Sequence, residues 1–343
     1  MIEKTCRQAD PEGASRVRDC SGRIPRAVSK CGRLLILGAA LLVGCTPNTE
    51  PETPRTIPTA AATEEVRNAS PAPTDTVNAA RERLDPATAA GLQIKIYKET
   101  DDGELPAHIF YPPDHQKTDA SPVLVFFHGG GWFEGEPENG YPLCEHWASL
   151  GMVCISFAYR LAGTGGTTPV ECITDAKSAV RWVRAQADEL GVDPDKITAS
   201  GGSAGGHLAV STAVLEGFEE GDEDVGISSS PDAVIAWSAA VNITEDGWFR
   251  TLLGERGDVR AYSPAHHVRP GLPPMALLHG TADETVPFRT VAEFAADMRE
   301  AGNRCDLHAY EGGGHLFHVE HRAEMLDVME EFFVSLGYLE EGT

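Results

Sequence analysis

Positive charge is scarce in this sequence. Its 343 residues hold 28 Lys and Arg against 52 Asp and Glu, a formal charge of −24. A chain so short of cations cannot neutralise phosphates, which excludes nucleic acid as a partner. Long hydrophobic runs are missing too. A spanning helix needs about 20 apolar residues, and the apolar stretch at 34–43 is too short. No His/Cys group has zinc spacing, and the acidic stretch 216–224 lacks the EF-hand pattern, so no metal is expected. No glycine-rich segment ends in the Gly-Lys-Ser/Thr of a phosphate loop, and there is no internal repeat. No cofactor is called for. A hydrophobic content of 41% is that of ordinary globular proteins, so a sizeable core is expected.

The acidity is uneven. Residues 1–44 hold eight basic and four acidic side chains, a net +4, so 45–343 carry −28. Arg23, Arg26, Lys30 and Arg33 precede the apolar stretch, as in a secretory signal. Leu42-Val43-Gly44-Cys45 then resembles the lipobox of bacterial lipoproteins, in which cleavage precedes the Cys and its thiol is lipidated. That resemblance implies an anchor at Cys45 and a place in the bacterial cell envelope, outside the cytoplasm. Acids at Glu3, Asp10, Glu12 and Asp19 suit no export signal, whereas a start at Val28 gives a compact basic one. Residues 1–27 therefore read as a mis-called extension. Six Pro and eight Thr in 46–84, with few large apolar residues, read as a flexible tether.

From about residue 86 the pattern changes. Short apolar or β-branched runs at 93–97, 107–111, 123–127, 152–157, 196–199, 233–237, 275–278 and 306–310 predict about eight strands. Helical patterns fall between them at 139–149, 169–189, 204–215, 287–301 and 318–335. Such alternation predicts an α/β domain over 86–343, a mostly parallel sheet covered by helices on both faces.

Four glycine-flanked motifs carry the chemistry. Gly201-Gly202-Ser203-Ala204-Gly205-Gly206 lies between a strand and a helix, the context a nucleophile elbow requires. There the turn strains the backbone of Ser203 and exposes its hydroxyl at a helix N-terminus. His128-Gly129-Gly130-Gly131-Trp132 follows the strand 123–127. Gly129 and Gly130 N–H, with Ala204 N–H, are the expected oxyanion donors, and His128 is expected to brace the loop. A base and its orienting acid should follow in the order Asp, His. Asp283, in His279-Gly280-Thr281-Ala282-Asp283, and His315, after Gly312-Gly313-Gly314, each sit on a loop at a strand's carboxyl end. The rivals are Glu284 for the acid and His279 or His318 for the base; His279 is expected to pack structurally.

Together these motifs resemble the α/β-hydrolase esterases, in particular the acetyl esterase and lipase branch with its feruloyl-esterase-like and hormone-sensitive-lipase-like members. The resemblance spans about residues 90–338. Tyr159-Arg160-Leu161 and the segment from Asp175 to Val183 are similar to that branch as well, and read as a buried polar brace. Gly202 stands where the hormone-sensitive type often has Asp, and there is no long helical N-terminal cap. Both departures point to the feruloyl-esterase-like branch and an open pocket.

The resemblance implies an enzyme that hydrolyses short acyl esters through Ser203, His315 and Asp283, on a small acyl ester or an acylated carbohydrate. An arylformamidase-like amidase and a non-catalytic binding protein on a hydrolase fold are the alternatives. A propeller-bearing oligopeptidase has no room here. Trp132, Phe133, Trp248 and Phe317 flank the catalytic loops as substrate-binding candidates, though each could equally be core. Residues 242–262 are the one candidate lid, and a short one. The stretch 216–224, with six acids in nine residues, reads as a solvated loop. Cys144, Cys154, Cys172 and Cys305 allow three full pairings, and Cys154 in a core strand reads equally as a free buried thiol.

Overall fold

Strand residues alternate between two faces, and here both faces are apolar. In the computed structural model, which describes residues 91–221 and 223–342, Val123, Val125 and Phe127 enter one core while Leu124 and Phe126 enter the other. The export signal, Cys45 and the tether lie outside the described residues.

The first strands of the described residues are β1 (Leu92–Thr100) and β2 (Gly103–Phe110), an antiparallel hairpin turned at Asp101-Asp102, with Gly103 at φ 127°. Next come β3 (Ser121–Phe127), a 3-10 turn at Pro137–Gly140, α1 (Tyr141–Ser149) and β4 (Val153–Phe157). The helix expected at 169–189 divides into α2 (Pro169–Ala185) and a short α3 (Ala187–Leu190), which ends at Gly191 in the left-handed region. Thr168 and Glu171 form a capping box at the start of α2, with Pro169 in the first turn. β5 (Val192–Gly202) starts earlier than its apolar core suggested. A register shift against β3 lets Pro194, which has no N–H for a ladder, sit inside it.

There follow α4 (Ala204–Val214), β6 (Ala233–Trp237), α5 (Gly247–Leu253), β7 (Met275–Gly280), α6 (Phe288–Glu300) and β8 (Cys305–Tyr310). The last expected helix begins at Phe317 and breaks at His321 into α7 (Phe317–Glu320) and α8 (Arg322–Ser335).

The eight strands among the described residues lie in the order β1-β2-β4-β3-β5-β6-β7-β8, antiparallel at β1/β2 and β2/β4 and parallel from there on. α2, α4 and α6 cover one face, and α1 and α8 the other. The order reverses at β3, whose neighbours are β4 and β5, and the carboxyl ends of strands at such a reversal open a crevice.

The structure sharpens two readings of the sequence. Cys154 is not a free thiol: α1 packs over β4 and brings Cys144 within 4.9 Å of it, Cα to Cα, in a disulfide, while Cys172 and Cys305 are buried and free. The acidic stretch is a loop with Glu216 and Asp224 exposed to solvent, but its middle is tied down. Glu219 and Glu223 pair with Arg181, and Glu219 also meets Lys177 at 3.4 Å, because α2 turns its basic residues toward the segment after α4. The expected polar brace is present. Asp175, wholly buried, accepts from Arg160 Nε at 2.9 Å, Arg160 Nη2 at 2.7 Å and Lys98 Nζ at 2.7 Å, and Glu220 closes the cluster.

Candidate active site

Strand register decides which loops meet. Phe127 pairs with Gly201, so the glycine loop after β3 runs beside the turn after β5. Gly202 pairs with Trp237 and Gly280 with Tyr310, which brings the loops carrying Ser203, Ser238, Asp283 and His315 to one edge of the sheet.

Ser203 sits between β5 and α4 at φ 54°, in the left-handed region that L-residues seldom adopt. Its neighbours permit the turn. A Cβ on Gly205 would lie 2.1 Å from Phe127 O, and one on Gly201 2.5 Å from the Gly205 carbonyl carbon. The space beside Gly202 is taken by the Trp237 indole, 2.2 Å from where its Cβ would stand. An Asp at this position would have to displace the indole.

His315 Nε2 lies 2.9 Å from Ser203 Oγ, and His315 Nδ1 lies 2.8 Å from Asp283 Oδ2. The other Asp283 oxygen accepts the N–H groups of Thr285 and Val286 at 2.9 and 2.8 Å. Burial alone would raise the Asp283 pKa, but hydrogen bonds from His279, His315 and Val286 N–H outweigh it and hold the carboxyl well below the usual carboxylate range. The carboxylate is thus ionised beside an imidazole whose far nitrogen faces a hydroxyl. That arrangement can draw a proton from Ser203 and stabilise the imidazolium so formed.

The rivals separate cleanly. Glu284 is exposed and the His315 bond goes to Asp283. His279 is fully buried, with Nε2 2.9 Å from Val286 O and 3.2 Å from Asp283 Oδ2, so it helps hold the acid. Its place four residues before Asp283 was the available signal. His318 stands in the cavity wall, its pKa lowered by burial and by His315 and Arg322.

Gly129 approaches Ser203 closely: a Cβ there would be 3.7 Å from Ser203 Cβ and 3.1 Å from Gly202 O. His128 braces the loop. Its Nδ1–H donates to Gly129 O at 2.8 Å, Tyr159 OH donates to His128 O at 2.8 Å, and the two rings stack. Burial pushes the His128 imidazole down to about 4, so it stays neutral. Ala204, third of the expected oxyanion donors, opens α4 directly after Ser203. Ser238, which pattern reading passed over, donates from Oγ to His315 O at 2.8 Å and so fixes the backbone under the imidazole. Only its place directly after β6 marked it.

A cavity of about 720 Å³ opens over Ser203 and His315. Phe126, Leu143, Trp237 and Met325 give it apolar walls, and Phe133, Leu316 and Val319 its exposed rim. Arg322 bridges its far side by donating from Nη2 to Pro142 O at 2.9 Å. Of the four aromatic candidates only Phe133 lines this cavity. Trp132 is core instead: it is buried because its indole turns away and donates to His207 Nδ1 at 3.1 Å. Phe317 is core as well, stacked under Tyr310. Trp248 lies outside the cavity against Phe133. Among the described residues no group of His, Cys, Asp and Glu could hold a metal, and no helix is long and apolar enough to cross a membrane.

Known proteins resemble this chain in sequence and fold. The BD-FAE family profile matches residues 108–298, more than half of the chain. The probable carboxylic ester hydrolase LipM of Mycobacterium tuberculosis is 32% identical over 224 residues, which are 59% of this chain and 50% of LipM. Esterase LipQ of the same organism is 33% identical over 210 residues, 57% of this chain and 49% of LipQ. The chain thus spans about half the length of these curated relatives. Thermogutta terrifontis esterase 2 in its apo form superposes with a TM-score of 0.70 at 43% identity, covering 73% of this chain and 96% of that one. The same esterase has been solved with butyrate bound, at 41% identity and a TM-score of 0.70. This chain has the α/β-hydrolase fold and belongs to the BD-FAE family.

Proposed function

We propose that the protein is a serine carboxylesterase that hydrolyses short-chain acyl esters. The observation that carries this reading is the unbroken line Ser203 Oγ, His315 Nε2, His315 Nδ1, Asp283 Oδ2, with bonds of 2.9 and 2.8 Å. As His315 takes its proton, Ser203 Oγ attacks the ester carbonyl carbon. The N–H groups of Gly129, Gly130 and Ala204 receive the oxyanion. Collapse expels the alcohol, which takes the proton back from His315 and leaves an acyl group on Ser203. Water, deprotonated by the same imidazole, attacks the acyl carbon; the bond to Ser203 Oγ breaks, Oγ takes the proton from His315, and the acid leaves. Asp283 remains ionised throughout.

The butyrate-bound form of Thermogutta terrifontis esterase 2 supports a short acyl group. The open rim at Phe133, Leu316 and Val319 leaves room for a bulky alcohol, and an acetylated carbohydrate is the substrate class proposed for it. The Cys144–Cys154 disulfide supports an oxidising compartment, in keeping with export and lipid anchoring at Cys45.

The test is turnover of p-nitrophenyl acetate, butyrate and octanoate, acetylated sugars and a formyl anilide. Ser203→Ala is expected to lower kcat by about 10⁴-fold or more. Ester hydrolysis that survives this change intact sinks the triad. A preference for the anilide sinks the ester assignment.

A further inference from the structure

The segment 242–262 holds the one element expected to cover the site, yet its exposed tryptophan does not line the cavity. Trp248 points at backbone instead: its Nε1–H donates to Gly131 O at 3.0 Å, across 117 residues of sequence. The loop it reaches is strained. Gly130, Gly131 and Trp132 run consecutively at φ 115°, 57° and 66°, a left-handed path that persists only where the surroundings hold it.

Two tryptophans provide that hold, one from each side. Trp132, in the loop, donates to His207 Nδ1 at 3.1 Å and meets the Phe249 ring edge-on at 4.9 Å. His207 lies on α4, directly behind Ser203, and its Nε2–H donates to Tyr262 O at 2.9 Å. Trp248, on α5, ties the preceding residue. α5 is itself fixed: Asp246 caps it through the N–H groups of Trp248 and Phe249 at 2.8 and 2.9 Å, and Phe249 is fully buried. Phe133, on the cavity rim, packs edge-on against Trp248 at 5.0 Å.

We propose that Trp248 is a positioning residue, and that the 242–262 segment acts as a clamp on the oxyanion loop and not as a lid over the cavity. The inference rests on the esterase reading. By fixing the Gly131 carbonyl it holds the loop at the left-handed turn next to Gly130, whose N–H is one of the proposed donors. The bond acts on the transition state and leaves ground-state binding alone, since the indole does not line the cavity.

Trp248→Phe keeps a ring against Phe133 and deletes only the N–H. Its expected effect is a three- to tenfold fall in kcat, roughly the worth of one hydrogen bond, with KM within about twofold of wild type and the acyl-length profile unchanged. Hydrogen exchange of the peptide covering 128–135 should quicken in the variant, while its melting temperature stays put. An unchanged kcat or unchanged exchange overturns the proposal, and so does a change confined to KM or acyl-length preference, the signature of a lid. Absence of ester turnover in the wild type overturns the esterase reading instead, and the exchange rates then decide the clamp.

Discussion

A trans peptide carries its C=O and N–H on opposite edges of one plane, so fixing the carbonyl aims the amide. The carbonyl of His128 shares a plane with Gly129 N–H, and it accepts from Tyr159 OH. The carbonyl of Gly129 shares a plane with Gly130 N–H, and it accepts from His128 Nδ1. Both proposed oxyanion donors are therefore aimed by one stacked His–Tyr pair. Tyr159→Phe should lower kcat about tenfold with little change in KM, since removing a whole donor costs about 10²–10³ and this change only loosens one; steady-state kinetics on a p-nitrophenyl ester measures it. At Gly202 the constraint is steric. Gly202→Asp must displace the Trp237 indole and is expected to cost about 1–3 kcal/mol, read from urea unfolding.

At the scale of elements, α2 does more than cover the sheet. Asp175 from its first half and Arg160 from the segment after β4 form the buried pair to which Lys98 of β1 and Glu220 are added. Four separate stretches of chain thus meet in one cluster of two carboxylates and two cations. Asp175→Ala removes the buried carboxylate and leaves Arg160 and Lys98 with the part-exposed Glu220 alone, and a loss of about 3–5 kcal/mol is expected from denaturant midpoints. The motif around Asp175 was legible as a polar brace. Its acidic partner Glu220 was not, because six acids in nine residues look like solvent-facing charge until Lys98 and Arg160 are seen to reach it. Sequence leaves the cysteine pairing open for a similar reason: only the packing of α1 on β4 brings Cys144 to Cys154.

Across the whole molecule, burial keeps several histidines neutral. His108, His128 and His207 are each pushed from 6.5 down to about 4, burial being the main cause. The unfolded chain takes up protons at these three sites as pH falls through 6.5, and the folded chain does not until about 4. Their stability contribution is therefore complete above 6.5 and is lost on acidification, by about 2 kcal/mol per histidine at pH 5. Asp283 adds to the same trend only at lower pH, because its folded pKa lies below the ordinary carboxylate value. Urea midpoints at pH 7.5 and pH 5 measure the sum, and equal midpoints would contradict this assignment.

Sequence by itself determined the class of fold, the count of strands and the four glycine-flanked loops, because those depend on local quantities: period, β-branching and the need for glycine where backbones touch. It also put Ser203, Asp283 and His315 at strand ends, from which their meeting follows once the sheet is parallel. Only the tertiary structure decided which aromatic rings face substrate. Trp132 and Phe317 are as apolar as Phe133, and whether such a ring lines a cavity or fills a core depends on where distant helices pack. The same holds for Ser238, for the second hold of His279 on the carboxylate, and for Trp248 on the Gly131 carbonyl. Each is a contact between residues whose separation in sequence, or whose side-chain direction, no local pattern encodes.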